Sequence, residues 1–355
     1  MDRRRRWAAV KAAAALLLLS TASHGAARTE PSVKNNEQQF AFNYTLAKTI
    51  VEYASAVQHM PQSFFFLGNI CRNLYMTLSR FLPQSFSYIE KNKLIVIEQS
   101  TSQAFVGVDH NLNAIIVAIR GTQENSIQNW IKDLVWKQVD LNYPNLPNAK
   151  VHTGFYSSYN NTLLRPAITN AVRKARKLYG DINIIITGHS MGGAIASFCA
   201  LDLASNFGSK DVNLMTFGQP RVGNAAFASY FAEIVPNTIR VTHERDIVPH
   251  LPPYFFFLPQ LTYRHFPREV WEHDVDGKTV FQVCDGSGED PNCCRSVFVL
   301  FWSASDHLTY MGVDIAADDW STCRIVLGQS VERLQMALAS NIVMLNNSVD
   351  FVCRS

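Results

Sequence analysis

Gly188-His189-Ser190-Met191-Gly192 is a GxSxG pentapeptide, set between a buried apolar run (Ile182 to Thr187) and an apolar helical pattern starting at Met191. A sharp strand-to-helix turn pushes the serine hydroxyl out of the backbone, and the flanking glycines let neighbouring segments approach. Amide groups at the start of the following helix favour a developing oxyanion. Ser190 is the candidate nucleophile, and the backbone N–H of Met191 a candidate oxyanion donor. The pentapeptide alone also describes an ordinary tight turn; the strand before it and the helix after it single it out.

A nucleophilic serine needs a base, and the base needs an orienting acid. In hydrolases built around such an elbow the chain order is serine, acid, histidine. The histidines after Ser190 are His243, His250, His265, His273 and His307. Thr238 to Thr242 reads as a late strand, and Asp246 follows it in Asp246-Ile247-Val248-Pro249-His250-Leu251-Pro252-Pro253. His307 lies in Asp306-His307-Leu308-Thr309-Tyr310-Met311-Gly312, far enough downstream to loop back over a sheet. Chemistry alone leaves His250 and His307 both open as the base, and Glu244 and Asp306 beside Asp246 as the acid.

The elements that must position these groups read as strands alternating with helices. Leu94 to Ile97, Ala104 to Val108 and Ala114 to Ile119 are short apolar runs separated by polar turns, a pattern of successive strands. Residues 161–179 carry Leu163, Leu164, Ile168, Val172 and Leu178 among Lys and Arg, as an amphipathic helix does. Strands then follow at Ile182 to Thr187, Val212 to Phe217 and Thr238 to Thr242, with helices at Met191 to Ser205 and Ala225 to Ile234. Such alternation predicts a mostly parallel central sheet covered by helices on both faces. Residues 28–90 read as helical and mixed, 265–300 as a Cys-rich excursion, and 316–355 as a helical tail. With no internal repeat and no Gly/Ser linker, residues 27–355 are expected to form one domain with its core at about 93–315.

Ile127, Trp130, Ile131 and Leu134 fall at i, i+3, i+4 and i+7, one apolar stripe opposite Gln128, Asn129, Lys132 and Asp133. Spacing alone fits a routine surface helix. A short helix placed beside the site could instead cover it in water and turn its Trp130 face toward lipid on opening.

Composition narrows the function classes. The chain has 355 residues, 47% apolar and 17% charged, enough to bury a sizeable core. Its net charge of +3 comes from the N-terminus, where Arg3, Arg4, Arg5, Arg6 and Lys11 outnumber Asp2. The remainder is close to neutral, which excludes nucleic acid as the main partner. A basic start, the apolar run Ala12 to Leu19 and the small-residue stretch Ser20 to Ala27 predict a signal peptide over 1–26. The apolar run is too short to span a bilayer. Sequons at Asn43, Asn160 and Asn346 agree with a secretory route. Of seven cysteines, Cys199 lies in a small, apolar helical stretch and reads as a buried free thiol. Cys284 with Cys293 or Cys294 would close a short Asp/Gly/Pro-rich loop, while the spacing argues against zinc.

Several ordered segments together resemble the class 3 lipase family, the secreted fungal triacylglycerol lipases and their plant relatives. They are Ile119-Arg120-Gly121-Thr122, Ser126 to Leu134, His152-Thr153-Gly154-Phe155, Gly188 to Gly192, Phe217 to Asn224, Asp246 to Pro253 and His307 to Gly312. The resemblance covers roughly Leu94 to Gly312. It implies an α/β-hydrolase fold with a short helical lid at Ile127, Trp130, Ile131 and Leu134. It also implies a triad of Ser190, Asp246 and His307, and an oxyanion hole from Thr122 and Met191. The implied activity is secreted hydrolysis of acylglycerol esters at a water–lipid interface, with no metal or organic cofactor. A phospholipase A1, a galactolipid acyl hydrolase or another esterase would share this scaffold, as would an inactive lipid-binding relative.

Overall fold

The computed structural model describes residues 41–58, 86–87, 95–99, 102–121, 124–142, 148–255, 262–315, 323–326 and 350–353. Helix α1 (Tyr44–Gln58) starts where Asn43 Oδ1 accepts the Leu46 N–H at 3.0 Å, and buries Ala47, Ile50, Val51, Ala54 and Val57. Strands β1 (Phe86–Ser87), β2 (Ile95–Gln99) and β3 (Ser102–Asp109) lead to β4 (Ala114–Ile119). Next come α2 (Glu124–Asp133), β5 (Gln138–Asp140), β6 (Lys150–His152), α3 (Thr153–Asn160) and α4 (Leu164–Tyr179). The centre is β7 (Asn183–His189), α5 (Met191–Phe207), β8 (Val212–Phe217), α6 (Ala225–Ile234) and β9 (Thr238–His243). A hairpin of β10 (Glu269–Val275) and β11 (Lys278–Val283) follows, then the short pair β12 (Thr309–Tyr310) and β13 (Val313–Asp314).

Among the described residues these strands build a nine-stranded sheet in the order β1-β3-β4-β7-β8-β9-β10-β11, with β2 also on β3. The run β4-β7-β8-β9-β10 is parallel, while β3 against β4 and β11 against β10 are antiparallel. Alternate strand residues enter opposite cores, as the two-residue period requires. Val117, Ile119, Ile184, Ile186 and Leu214 meet α3, α4, α5 and α6 on one face. Ile116, Ala118, Ile185, Met215 and Val241 meet α1 on the other. The result is the mostly parallel sheet, covered on both faces, that the alternating pattern implies.

Two expectations are corrected. Residues 265–300 are not wholly an excursion, because 269–283 form the β10–β11 edge of the sheet. The turn joining them is Asp276-Gly277, both at positive φ (54° and 77°), the two-residue hairpin turn that Asp-Gly favours. In the tail, expected to be helical, β14 (Cys323–Val326) and β15 (Asp350–Cys353) are extended and pair antiparallel. Their short Ile-Val and Phe-Val stretches suit a pleated strand better than a helix. Residues 327–349, with Asn346 among them, lie outside the described residues, as does the segment 1–26 expected to be a signal peptide. Among the described residues no helix is long and apolar enough to cross a membrane.

Candidate active site

β7 ends in the middle of the sheet, and the chain reverses through Ser190 into α5. Ser190 has φ 58° and ψ −131°, a backbone strained for a residue with a side chain. The turn is held because Ser190 N–H donates to the Phe217 carbonyl at 2.9 Å, while Gly193 N–H donates to the Ser190 carbonyl at 3.0 Å. Its glycines are forced by close approach. A Cβ on Gly192 would lie 2.3 Å from the Ile119 carbonyl oxygen, and one on Gly188 2.5 Å from the backbone of Gly192. Helix α5 is buried almost all round, from Gly192 to Ala204, so the elbow rests on a helix packed on every side.

Asp246 follows β9 and is fully buried. Its Oδ1 accepts the Val248 N–H at 2.8 Å, while Oδ2 accepts from His307 Nδ1 at 2.7 Å and also from the Tyr310 hydroxyl. His307, equally buried, stacks near His189 with ring centroids 4.3 Å apart. Its ring fits because Gly218, at φ 59°, has no Cβ; one there would sit 2.8 Å from His307 Cε1. The acid and histidine loops are tied along their backbones. Ile247 N–H donates to the Ser303 carbonyl at 3.0 Å, and Ser303 N–H to the Arg245 carbonyl at 2.8 Å. Ser190 Oγ and His307 Nε2 are both buried and have no hydrogen-bond partner among the described residues.

The geometry thus places His307 on Asp246 and puts His250 elsewhere. His250 stacks on Trp302 with centroids 4.4 Å apart, and its Nε2 lies 3.5 Å from Cys294 Sγ. Burial, helped by the nearby Arg221 charge, pushes His250 down to about 3, so it stays neutral. Glu244 accepts the Asp274 N–H and Asp306 binds Arg245 Nε, so both of these acids are engaged away from the imidazole of His307.

Sequence reasoning missed the groups that hold the acid loop. Arg221 donates from Nη1 to the carbonyls of His250 (2.7 Å) and Pro252 (3.0 Å), and pairs through Nε and Nη2 with Glu289 at 2.7 and 2.8 Å. Burial opposes a charged Glu289, but the Arg221 guanidinium outweighs it and holds the carboxyl below its usual range. Glu289 comes from the loop closed by a disulfide between Cys284 and Cys293. Beside it Glu269 accepts from Thr242 Oγ1 at 2.8 Å and pairs with Arg240 at 3.5 Å. Burial keeps the Glu269 carboxyl above its usual range and the free thiol of Cys294 well above its own. Tyr310 could have been noticed as the conspicuous polar residue three after His307; nothing in the sequence singles out Glu289.

Cys199 is a buried free thiol, as its surroundings imply. Cys284, Asp290 and Cys293 come close together, but the two sulfurs are bonded to each other and offer no thiolate to a metal. Met191 opens α5, directly after Ser190. Thr122 lies outside the described residues, although Gly121 before it abuts the elbow: a Cβ there would lie 3.5 Å from Met191 N. Trp130 and Ile131 of α2, with Leu134 just after it, pack with Ile247, Val248, Leu251, Trp302 and Ala304 of the loops that carry Asp246 and precede His307. The Ile127 side chain lies outside the described residues; its backbone is in α2.

The family model described as Lipase (class 3) matches residues 116–256. The chain is 38% identical over 216 residues to a lipase of Rhizomucor miehei, covering 60% of this chain and 56% of that one. It is 32% identical over 211 residues to a secreted mono- and diacylglycerol lipase of Fusarium solani, covering 56% of this chain and 59% of the relative. The matches thus span about half the length of these curated relatives. A solved structure of the Rhizomucor miehei triacylglyceride lipase superposes with TM-score 0.58 at 31% identity, covering 78% of this chain and 97% of that one. Sheet, elbow and this superposition define an α/β-hydrolase fold. Within it, the chain belongs to the class 3 lipase family.

Proposed function

We propose that this chain hydrolyses carboxylic esters of acylglycerols through an acyl-enzyme on Ser190. The observation that carries the reading is the buried set of Ser190, His307 and Asp246, with His307 Nδ1 held by the acid and Nε2 left over for the nucleophile. In this reading His307 takes the Ser190 proton as Oγ attacks the ester carbonyl, then returns it to the leaving alcohol. Water repeats the cycle and releases the fatty acid. Asp246 fixes the imidazole tautomer and stabilises the imidazolium. Tyr310 and the Val248 N–H hold the carboxylate in place. The oxyanion is received by the N–H of Met191 at the start of α5, with Thr122 as second donor; one such donor is worth roughly 3–4 kcal/mol of barrier.

Helix α2 acts as a lid. Ser190 and His307 are fully buried, and Trp130, Ile131 and Leu134 pack on the acid loop, which supports α2 as the cover that moves to admit an ester. Opening exposes the same apolar face, which an aqueous medium opposes and a lipid surface favours. Secretion fits the signal-like N-terminus, the Cys284–Cys293 disulfide and the secreted mono- and diacylglycerol lipases among the relatives. The residues 27–355 act as one domain in this reading.

The test is hydrolysis of emulsified triacylglycerol, phosphatidylcholine vesicles and a soluble short-chain ester by the protein and by Ser190→Ala. Turnover that rises on the emulsion and falls at least about 10⁴-fold in the variant is expected. Preference for the phospholipid would replace the substrate class. Absence of all turnover in a folded protein would remove the enzymatic reading.

A further inference from the structure

The chain leaves His307 through the two-residue turn between β12 and β13, and local sequence alone does not explain that turn. Met311 and Gly312 have φ of 54° and 72°, the pair of positive values that a two-residue hairpin takes. Glycine suits such a backbone, whereas a methionine there is strained. The turn also leaves the N–H and carbonyl of its first central residue outside the ladder. Met311 is only 2% exposed, so both groups need partners inside the protein. Both partners are charged. Glu272 of β10 accepts the Met311 N–H through Oε2 at 2.8 Å, and Lys48 of α1 donates from Nζ to the Met311 carbonyl at 3.4 Å. Tyr310, the residue before this grip, donates its hydroxyl to the Asp246 carboxylate. The start of the same loop is held by two imidazoles. His243 Nδ1 meets the Asp306 carbonyl at 2.9 Å, and His189 Nε2 meets the His307 carbonyl at 2.8 Å.

We propose that Glu272, opposed by Lys48, is a positioning residue for the triad: by gripping Met311 it sets where the β12–β13 turn sits and, through Tyr310, how the Asp246 carboxylate meets His307. The proposal rests on the hydrolase reading of Ser190, Asp246 and His307. The chain of contacts is short and directional. Met311 adjoins Tyr310, and the Tyr310 hydroxyl and His307 Nδ1 share the same oxygen, Asp246 Oδ2. A turn that drifts carries the tyrosine hydroxyl with it and removes one of the two donors that fix this oxygen. Glu272 is suited to prevent the drift, being buried on a strand paired on both sides, with β9 and with β11. Around its carboxylate stand Lys48 from α1, His243 and Glu244 from β9 and the turn after it, and the apolar Phe281 as register partner on β11. Burial raises the Glu272 carboxyl above its usual range, against the pull of the Met311 N–H, His243 and Lys48. As pH falls, Glu272 therefore takes up its proton before an exposed glutamate would. The neutral acid then holds the Met311 N–H less firmly than the carboxylate does.

The test uses the whole chain with Glu272→Ala, Glu272→Gln or Lys48→Met, on a soluble short-chain ester so that no lipid surface enters. Glu272→Gln keeps an oxygen for the Met311 N–H, and Lys48→Met keeps an apolar stem without the ammonium. In Glu272→Ala, kcat should fall roughly tenfold to a hundredfold at unchanged KM. Glu272→Gln should restore most of that loss at neutral pH, and Lys48→Met should cost about threefold. The acid limb of kcat should be less steep in Glu272→Gln, which lacks the second protonation. The low-field ¹H resonance of the proton between His307 Nδ1 and Asp246 should shift or broaden in Glu272→Ala and persist in Glu272→Gln. An alanine variant with parental kcat and an unmoved resonance would overturn the proposal. So would a loss confined to KM, or one that glutamine does not restore. Should Glu272→Ala not fold, a glutamine variant with the parental acid limb, or a fully active Lys48→Met, would overturn it instead. A parent that turns over no ester, yet shows the resonance and loses it in Glu272→Ala, would keep the positioning role and refute the hydrolase.

Discussion

Around Ser190 the chain is held by backbone packed on backbone, whereas around Asp246 and His307 it is held by buried charge. The elbow has glycines at Gly188 and Gly192 because neighbouring main chain leaves less than 3 Å for a Cβ. Its supports are the apolar body of α5 and the strands on either side. The acid loop instead hangs from Arg221, whose charge is balanced by Glu289 out of a disulfide-closed loop. The contrast teaches that a nucleophile position can be encoded locally, while the acid and base are registered by polar links between distant segments. Such links are directional and costly to leave half-made, so they fix a loop in one place more firmly than apolar contact does.

The largest expected effect lies on the charged side. Glu289→Ala leaves Arg221 buried without its hydrogen-bonded carboxylate and should cost about 3–5 kcal/mol of stability in urea unfolding. It should also lower kcat more than it raises KM, because the acid loop shifts. The pair Arg221→Met with Glu289→Leu should be less damaging than the two losses added, since no buried charge is orphaned. Additive losses would show that the network does not act as a unit, and the comparison would break.

On the elbow side the effect is steric and beyond rescue by a partner. Gly192→Ala drives a methyl into the Ile119 carbonyl, with an expected cost of about 1–3 kcal/mol in stability. Displacement of Ser190 should lower kcat by about 10² on a soluble ester. A fully active Gly192→Ala would mean that the elbow is not set by close packing.

The smallest effect, taken over a single pH unit, is pH dependence. Burial pushes His152 down to about 4 and His250 to about 3, and holds His189 and His265 well below the usual histidine range. Unfolding releases these rings to take up protons near pH 6.5, so stability is complete above that value and is lost as pH falls toward the folded values. Each ring contributes about 1 kcal/mol per pH unit in this window. Glu269 and Glu272, raised by burial, oppose the trend. Tm should be flat above pH 7 and decline below pH 6, and His250→Gln should make the decline shallower. A Tm that rises on acidification would reverse the sign and place the dominant titration on the carboxylates.

How much of this was legible varies with how far apart the partners sit. Strands β3, β4, β7, β8 and β9, the elbow and the apolar stripe of α2 are written in short runs of consecutive residues, where period and turn chemistry act directly, whereas the three-residue β5 and β6 carry no such run. The β10–β11 hairpin was legible too, in Asp276-Gly277 between alternating runs, but the nearby cysteines drew the reading toward a loop. His250 and His307 could not be separated by chemistry, for both follow Ser190 within plausible loops.

By itself the sequence determined the alternating sheet, the strand–Gly–Ser–Gly–helix turn and the set of acids and histidines from which a triad could be drawn. Only the tertiary structure decided which histidine meets Asp246, that Cys293 rather than Cys294 pairs with Cys284, and that Glu289 supports the acid loop. The physical reason is separation along the chain. His307 and Asp246 are 61 residues apart, and Arg221 and Glu289 are 68 apart, so their meeting depends on the closed fold and not on any local pattern.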